Sequence, residues 1–256
     1  MRRLCGLLLL FMVNVGLTLS QTGSPELKKT EAEKLFQEGN LLQKARKYSI
    51  AIEKYKAALD SAEDFSYHYQ LGLCYRSSKQ YGNAIAAMEA SIRLKPNFGG
   101  SHNVLGELYL LRRDYDRGIE SFKQALKYEP HLKTALDGVS EAYARKGQQL
   151  LDEGKLSAAG ALMEEALQRR SDNAAVYLVA ARIYNKLERP EKSIEAANEA
   201  MKLKKENSKG AEYFEIGIAH KKMNEYDRAR RAFTEARKDP KYNRHAQKEL
   251  DGLKGK

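Results

Sequence analysis

The sequence predicts an all-α solenoid of about six helix pairs closed by a C-terminal capping helix, and three observations carry that prediction. One small and several aromatic positions recur along the chain at a period near 34 residues. Only five prolines interrupt the helical stretches between them. Charged residues make up 31% and apolar residues 42%, which is too apolar for a disordered chain and too charged for a membrane bundle. A length of 256 residues would otherwise suggest one or two globular domains. That reasoning fails for repeats, because each unit packs only on its neighbours.

The first element stands apart from the solenoid. Arg2 and Arg3 precede an apolar run from Leu4 to Leu19, and Thr18 and Ser20 put small side chains before a cut at Gln21. This is the layout of a signal peptide over residues 1–20. The run is broken by Gly6, Asn14 and Gly16 and falls short of the ~20 apolar residues that span a bilayer, so the mature chain carries no transmembrane segment. An uncleaved N-terminal anchor is the alternative. Residues 21–31 read as a linker. Cys74 is then the one remaining cysteine, which excludes an internal disulfide and reads as a small buried apolar residue.

From residue 32 the repeats begin. Leu71-Gly72 followed by Tyr75 reappears as Leu105-Gly106 followed by Tyr109, 34 residues on. Tyr81 and Tyr115, Ala84 and Gly118, Met88 and Phe122, Ser91 and Ala125, and Pro96 and Pro130 extend the match. The glycines let a second helix approach closely, the large side chains fill the space around that contact, and the prolines end the unit. Four further units follow the frame through Gly39 and Tyr55, Gly147 and Met163, Ala181 and Ala197, and Gly217 and Phe233.

This pattern resembles the tetratricopeptide repeat family, over residues 32–240. The units fall at about 32–64, 65–98, 99–132, 133–173, 174–209 and 210–240, and the resemblance implies a right-handed superhelical twist. Residues 241–256 form a basic capping helix and tail. There Tyr242, Ala246, Leu250 and Leu253 share one helical stripe while Lys241, Arg244, Lys248 and Lys254 face solvent. The interval from Gly106 to Gly147 is seven residues too long, about two helical turns. Leu132 to Leu151 contains no proline and places Leu136, Val139, Tyr143 and Leu150 at helical intervals, which predicts one helix there, the longest of the mature chain. It is either a ridge for a partner or a tolerated insertion.

No catalytic motif is present. The chain lacks G-x-S-x-G, a glycine-rich phosphate loop, H-E-x-x-H and paired cysteines, so the reading is a non-enzyme without cofactor or metal. His68 and His102 stand 34 residues apart, each four before a glycine, and read as packing residues because no carboxylate or cysteine aligns with them.

The resemblance implies that the first helix of each unit lines a concave groove that takes a peptide or a helix. Carried onto this sequence, the groove residues are Asn40, Tyr69, Gln70, Arg76, Asn103, Glu107, Arg182, Asn185, Phe214 and Lys221, with Gln43, Leu73, Leu110, Leu178 and Ile218 between them. Tyr69 and Arg182 read as its central anchors. Family members that clamp the C-terminal carboxylate of cytosolic heat-shock chaperones use Lys, Asn and Arg at set places. Here Asn40 matches, but Phe36, Gln70, Gly100 and Val104 occupy the others, so the clamp is absent.

Residues 202–256 hold 16 Lys and Arg against 9 Asp and Glu. That basic end offers an anionic surface as an alternative partner, while the lack of interleaved exposed aromatics argues against nucleic acid. The sequence therefore points to an exported interaction scaffold, periplasmic or secreted, with a polyanion or envelope-surface binder as the alternative.

Overall fold

The computed structural model describes residues 24–169, 171–205 and 208–256, which form helices and turns with no strand among them. The expected signal peptide at 1–20 lies outside the described residues. Six pairs run in order: α1 (Pro25–Lys44) with α2 (Tyr48–Ser61), α3 (Phe65–Ser77) with α4 (Tyr81–Leu94), and α5 (Gly99–Leu111) with α6 (Tyr115–Tyr128). Then follow α7 (Lys133–Asp152) with α8 (Leu156–Gln168), α9 (Ala174–Lys186) with α10 (Pro190–Leu203), and α11 (Gly210–Lys222) with α12 (Tyr226–Arg237). A last helix, α13 (Asn243–Gly252), packs on α12.

One contact defines each pair. A side chain at Gly39 would come within 2.6 Å of Tyr55, at Gly72 within 2.5 Å of Met88, and at Gly106 within 2.8 Å of Phe122. The same holds for Gly147 against Met163 at 2.6 Å and Gly217 against Phe233 at 2.5 Å. In every case the large side chain lies sixteen residues after the glycine and is fully buried. Unit five solves the same problem differently, with two fully buried alanines, Ala181 and Ala197, sharing the space between glycine and aromatic.

The turn inside each pair is equally regular. Seven residues after the small position the backbone turns left-handed, at Arg46, Lys79, Arg113, Gly154, Glu188 and Asn224, with φ between 55° and 72°. The amide two residues before the second helix, or just before it, then bonds back to a carbonyl of the first, as in Lys47 to Leu42 and Gln80 to Tyr75. Five of these six residues are not glycine, a strain of about 1–2 kcal/mol each that the packed pair holds in place.

Three expectations need correction. The supposed linker at 21–31 is helical from Pro25, because Ser24 accepts a bond from the Leu27 amide at 3.3 Å and proline suits the first helical turn. That extension makes α1 20 residues long, so α7, also 20 residues, is not the longest helix but its equal. Third, Leu136 is 44% exposed although Val139, Tyr143 and Leu150 are buried as expected. The N-terminal turns of α7 pack on α6, where Gly138 meets the Phe122 ring. Leu136 instead lines an open cavity of about 470 Å³ with Leu126 of α6, Val139, Ala166 of α8 and Val176 of α9.

At the other end Ala246 and Leu253 are fully buried and Leu250 packs beside them, whereas Lys241, Arg244, Lys248 and Lys254 are exposed.

Glycine-to-alanine changes should separate the two glycines of unit three. Glycine in a helix normally costs about 1 kcal/mol relative to alanine. At Gly118 an added methyl finds only ordinary contacts, from 3.5 Å outward, so Gly118→Ala should stabilise by about that amount. At Gly106 the methyl strikes Cγ, Cδ1 and Cε1 of Phe122, the stiff base of the ring, and Gly106→Ala should destabilise by about 1–3 kcal/mol. Gly72→Ala should cost less, since it meets first the flexible Cε of Met88. Denaturant titration of the three variants checks the order.

Candidate partner-binding groove

Consecutive first helices touch one another along the array, α1 with α3, α3 with α5, α5 with α7, α7 with α9 and α9 with α11, while contacts between consecutive second helices are sparser. The first helices therefore form the shorter, inner layer. Their inward residues recur three before, one after and four after the small position, and they interact across unit boundaries.

Two polar clusters sit on this layer. In the first, Arg76 of α3 pairs with Glu107 of α5, and the Glu107 Oε1 accepts from Asn103 Nδ2 at 2.9 Å. In the second, Arg182 of α9 lies 3.5 Å from Glu215 of α11, donates to Gln148 Oε1 of α7 at 3.3 Å, and donates to the Tyr242 hydroxyl at 2.9 Å. Asn185 Nδ2 donates to both the Glu215 carboxylate at 2.9 Å and its backbone carbonyl at 3.0 Å. Six of the ten groove residues read from the sequence thus join in two clusters: Arg76, Asn103 and Glu107, and Arg182 and Asn185 with Phe214 beside them through the Tyr242 ring at 5.6 Å.

The other four are separate. Asn40 is engaged by its own unit, with its Oδ1 2.8 Å from the Tyr55 hydroxyl, which also lies 2.8 Å from Gln43 Oε1. Tyr69 packs edge-on against Phe98 at 5.1 Å and belongs to the margin of the core, so it is a packing residue as much as an anchor. Gln70 is half-buried, and Lys221 is tied to Glu249 at 2.6 Å. Sequence reasoning missed Glu215, Gln148 and Tyr242. Gln148 alone carried a signal, since it follows Gly147 as Glu107 follows Gly106 and Arg182 follows Ala181.

Both clusters are under tension. Asn103 and Asn185 are 7% and 3% exposed, and in each the Oδ1 is buried with no hydrogen-bond partner. An unsatisfied buried acceptor costs about 1–3 kcal/mol. Burial also raises the Glu215 carboxyl above its ordinary range, only partly opposed by Asn185 and Arg182.

Comparison with known proteins decides the family. Tetratricopeptide repeat models match residues 36–97, 100–132 and 150–211. The chain belongs to the tetratricopeptide repeat family. Similar curated proteins include Hsp70-Hsp90 organizing protein 3 of Arabidopsis thaliana, 27% identical over 111 residues, 43% of this chain and 20% of that one. The mouse (Mus musculus) BBSome complex member BBS4 is 32% identical over 98 residues, 36% of this chain and 19% of that one. The chain thus spans about a fifth of the length of these relatives. Among solved structures, YrrB, described as a tetratricopeptide repeat protein with an unusual peptide-binding site, superposes with a TM-score of 0.53 at 20% identity, covering 72% of this chain and 92% of that one. MamA superposes with 0.50 at 21% identity, covering 68% and 92%.

As a tetratricopeptide repeat protein the chain has no convergent metal site among its described residues. His68 Nε2 lies 3.0 Å from Glu63, and His102 Nε2 lies 2.8 Å from the Pro96 carbonyl with its ring stacked on Tyr128. Each histidine is occupied at the rim of its own turn, and His220 pairs with Glu225 at 2.7 Å. Cys74 is buried and unbridged, its thiol pushed up to about 11 by desolvation, so it stays protonated and unreactive.

The raised Glu215 carboxyl fixes the sign of a pH effect. Folding holds its proton to higher pH than the unfolded chain does, so the stability tied to that proton is present below the unfolded value of about 4.3 and declines as pH rises through the folded one. The stability difference between wild type and Glu215→Gln should therefore shift against the wild type as pH is raised above about 4.3. Parallel denaturant titrations across that range measure it.

Proposed function

We propose that this protein is an exported scaffold that binds a peptide or helical segment of a partner protein along the inner layer formed by α1, α3, α5, α7, α9 and α11. The observation that carries the reading is the lining itself: two arginine–carboxylate–amide clusters, with Leu73 and Leu110 on the helices of the first and Phe214 and Ile218 beside the second. Such a mixture of charged, amide and apolar side chains is the make-up of a recognition surface. Family membership supports a protein-binding role, as do the similar Hsp70-Hsp90 organizing and BBSome complex proteins. Export rests on residues 1–20, which read as a signal peptide, and periplasm or medium is the proposed destination.

A photo-crosslinking amino acid at Gln70 or Ile218, in the groove, should capture the partner in native envelopes. The same residue at Glu89, exposed on α4, should not. Equal capture at all three sites defeats the reading, and mass spectrometry of the captured chain should find its N-terminus at Gln21.

A second reading, docking on a polyanion or envelope surface, draws on Lys241, Arg244 and Lys248. These three are exposed, and none makes an ion pair among the described residues. Replacing all three with Gln should change stability by no more than about 0.5 kcal/mol per site and leave partner capture unaltered, because α13 caps through Ala246 and Leu253. Binding of the wild type to anionic vesicles that collapses above about 0.15 M salt, and is lost in the triple variant, would favour the second reading.

A further inference from the structure

We propose that the outer face of unit one, built by α1 and the start of α2, is an interface at which two copies of this chain pair antiparallel about Lys34. The proposal concerns the end of the solenoid and stands whether or not the inner layer takes a peptide.

Leu27, Glu31, Lys34, Glu38 and Leu41 follow one another along α1 at intervals of four and three, so they fall within an arc of about 80° and form one stripe. Three of them hold repeat positions, five before, one before and two after the small residue Gly39. In later units these positions face the preceding second helix. Ser101, the counterpart of Lys34 in unit three, has its Oγ 2.8 Å from Ser91 Oγ of α4. The counterparts of Leu41, which are Cys74, Leu108, Ile183 and Ala219, are fully buried. Ile50 of α2 belongs to the same face, because its counterpart Lys192, eleven residues after the small position, reaches Glu164 of the preceding α8 at 3.2 Å. Among the described residues nothing precedes unit one. Leu41 and Leu27, at 66% and 61%, are the most exposed large apolar side chains of those residues, and Ile50 is 45% exposed. Single exposed leucines are ordinary, but three such side chains on a face that the repeat buries elsewhere mark an interface.

The order of the stripe names the occupant. Leucine, glutamate, lysine, glutamate, leucine reads the same from either end. With a two-fold axis at Lys34, Leu27 of each copy meets Leu41 of the other, and each Lys34 ammonium comes within reach of the other copy's Glu31 and Glu38. Lys54 of α2 pairs with Glu38 at 2.7 Å, so the face carries two cations and two carboxylates and meets its own copy without net repulsion. The far end of the solenoid is no match. There α13 covers unit six, and among the described residues no large apolar side chain from α9 to α13 is exposed. Head-to-tail stacking therefore lacks a second apolar face, whereas a two-fold pair satisfies both faces at once and closes. Asn40 and Gln43 lie on the other side of α1, so the pair leaves both inner layers open and holds two grooves in one assembly.

Sedimentation equilibrium of the full chain from Gln21 tests this. The mass should rise with concentration from one chain to two and go no further. Leu41→Lys, at a side chain already exposed, should keep the helix content seen by circular dichroism and weaken the dimer about a hundredfold, because two copies of the leucine leave the interface together. Lys34→Glu, and Glu31→Lys with Glu38→Lys, should each give a monomer alone and a dimer when mixed. For the register, Lys34→Cys should form a disulfide-linked pair with diamide as oxidant. Leu27→Cys should not link to itself but should link to Leu41→Cys in a mixture. Cys74 is buried and stays out of the reaction. A mass of one chain at every concentration gives the face to another occupant and overturns the proposal. Assembly beyond two copies, or a dimer that Leu41→Lys leaves unchanged, overturns it as well, and self-linking of Leu27→Cys overturns the antiparallel pairing.

Discussion

Everything in this molecule depends on a contact between two helices that only a missing side chain permits. Tyr55, Met88, Phe122, Met163 and Phe233 each lie across the backbone of a glycine on the partner helix. Burying a side chain of this size stabilises by about 1.5–3 kcal/mol. The glycine forfeits up to about 1 kcal/mol of helix propensity in return for the approach. The balance is favourable in each unit, and it has to be, because a solenoid has no global core and its stability is a sum of unit and neighbour terms. Unit five shows that another residue pair can serve, since the fully buried Ala181 and Ala197 stand where glycine and a large side chain stand in the other units.

The same contact determines where the groove is. Because the glycine side of each first helix is pressed on its own second helix, the residues one and four positions beyond the small one are turned toward neighbouring first helices. Cross-unit polar clusters become available at that layer: Arg76 reaches Glu107, and Arg182 reaches Gln148 and Glu215. Such clusters are costly where water is excluded, and the unmatched oxygens of Asn103 and Asn185 add to the cost. Stability alone would favour apolar residues at these places. The proposed recognition of a partner along this layer is a reason for polar residues there that stability does not supply.

How much of this was legible in the sequence follows from the range of each interaction. Glycine, aromatic and proline at fixed offsets are local signals, so the pairs and the cap around Ala246 and Leu253 could be read directly. The helix start at Ser24-Pro25-Glu26 was also written there, but it preceded the first glycine by fifteen residues and fell outside the repeat frame. The left-handed turns were legible only at Gly154 and Asn224, residue types that favour that backbone, whereas Arg46, Lys79, Arg113 and Glu188 do not and are held by the hairpin around them. Leu136 sits on the right stripe of α7, yet it borders a cavity between α6, α8 and α9, and periodicity says nothing of how closely neighbouring helices approach. Within the groove, the lining positions could be carried over from the repeat, but Asn40 against Tyr55 and Arg182 against Tyr242 depend on distances fifteen and sixty residues along the chain.

The bond from Arg182 to Tyr242 joins two parts that the sequence shows as separate. Tyr242 is the first residue of the C-terminal cap, and its ring also packs on Phe214, which in turn lies 5.6 Å from Phe233, the large residue of unit six. The guanidinium it receives is shared with Gln148 of unit four. One tyrosine hydroxyl therefore fastens the cap to the inner layer two units away. A cap that only covered apolar surface would need Ala246 and Leu253 and nothing more. This one also fixes the orientation of Arg182, and through Arg182 the carboxylate and amide beside it. The end of the solenoid thus takes part in the geometry of the groove, and a surface that sequence alone presents as a terminal lid is physically continuous with the inner layer of first helices.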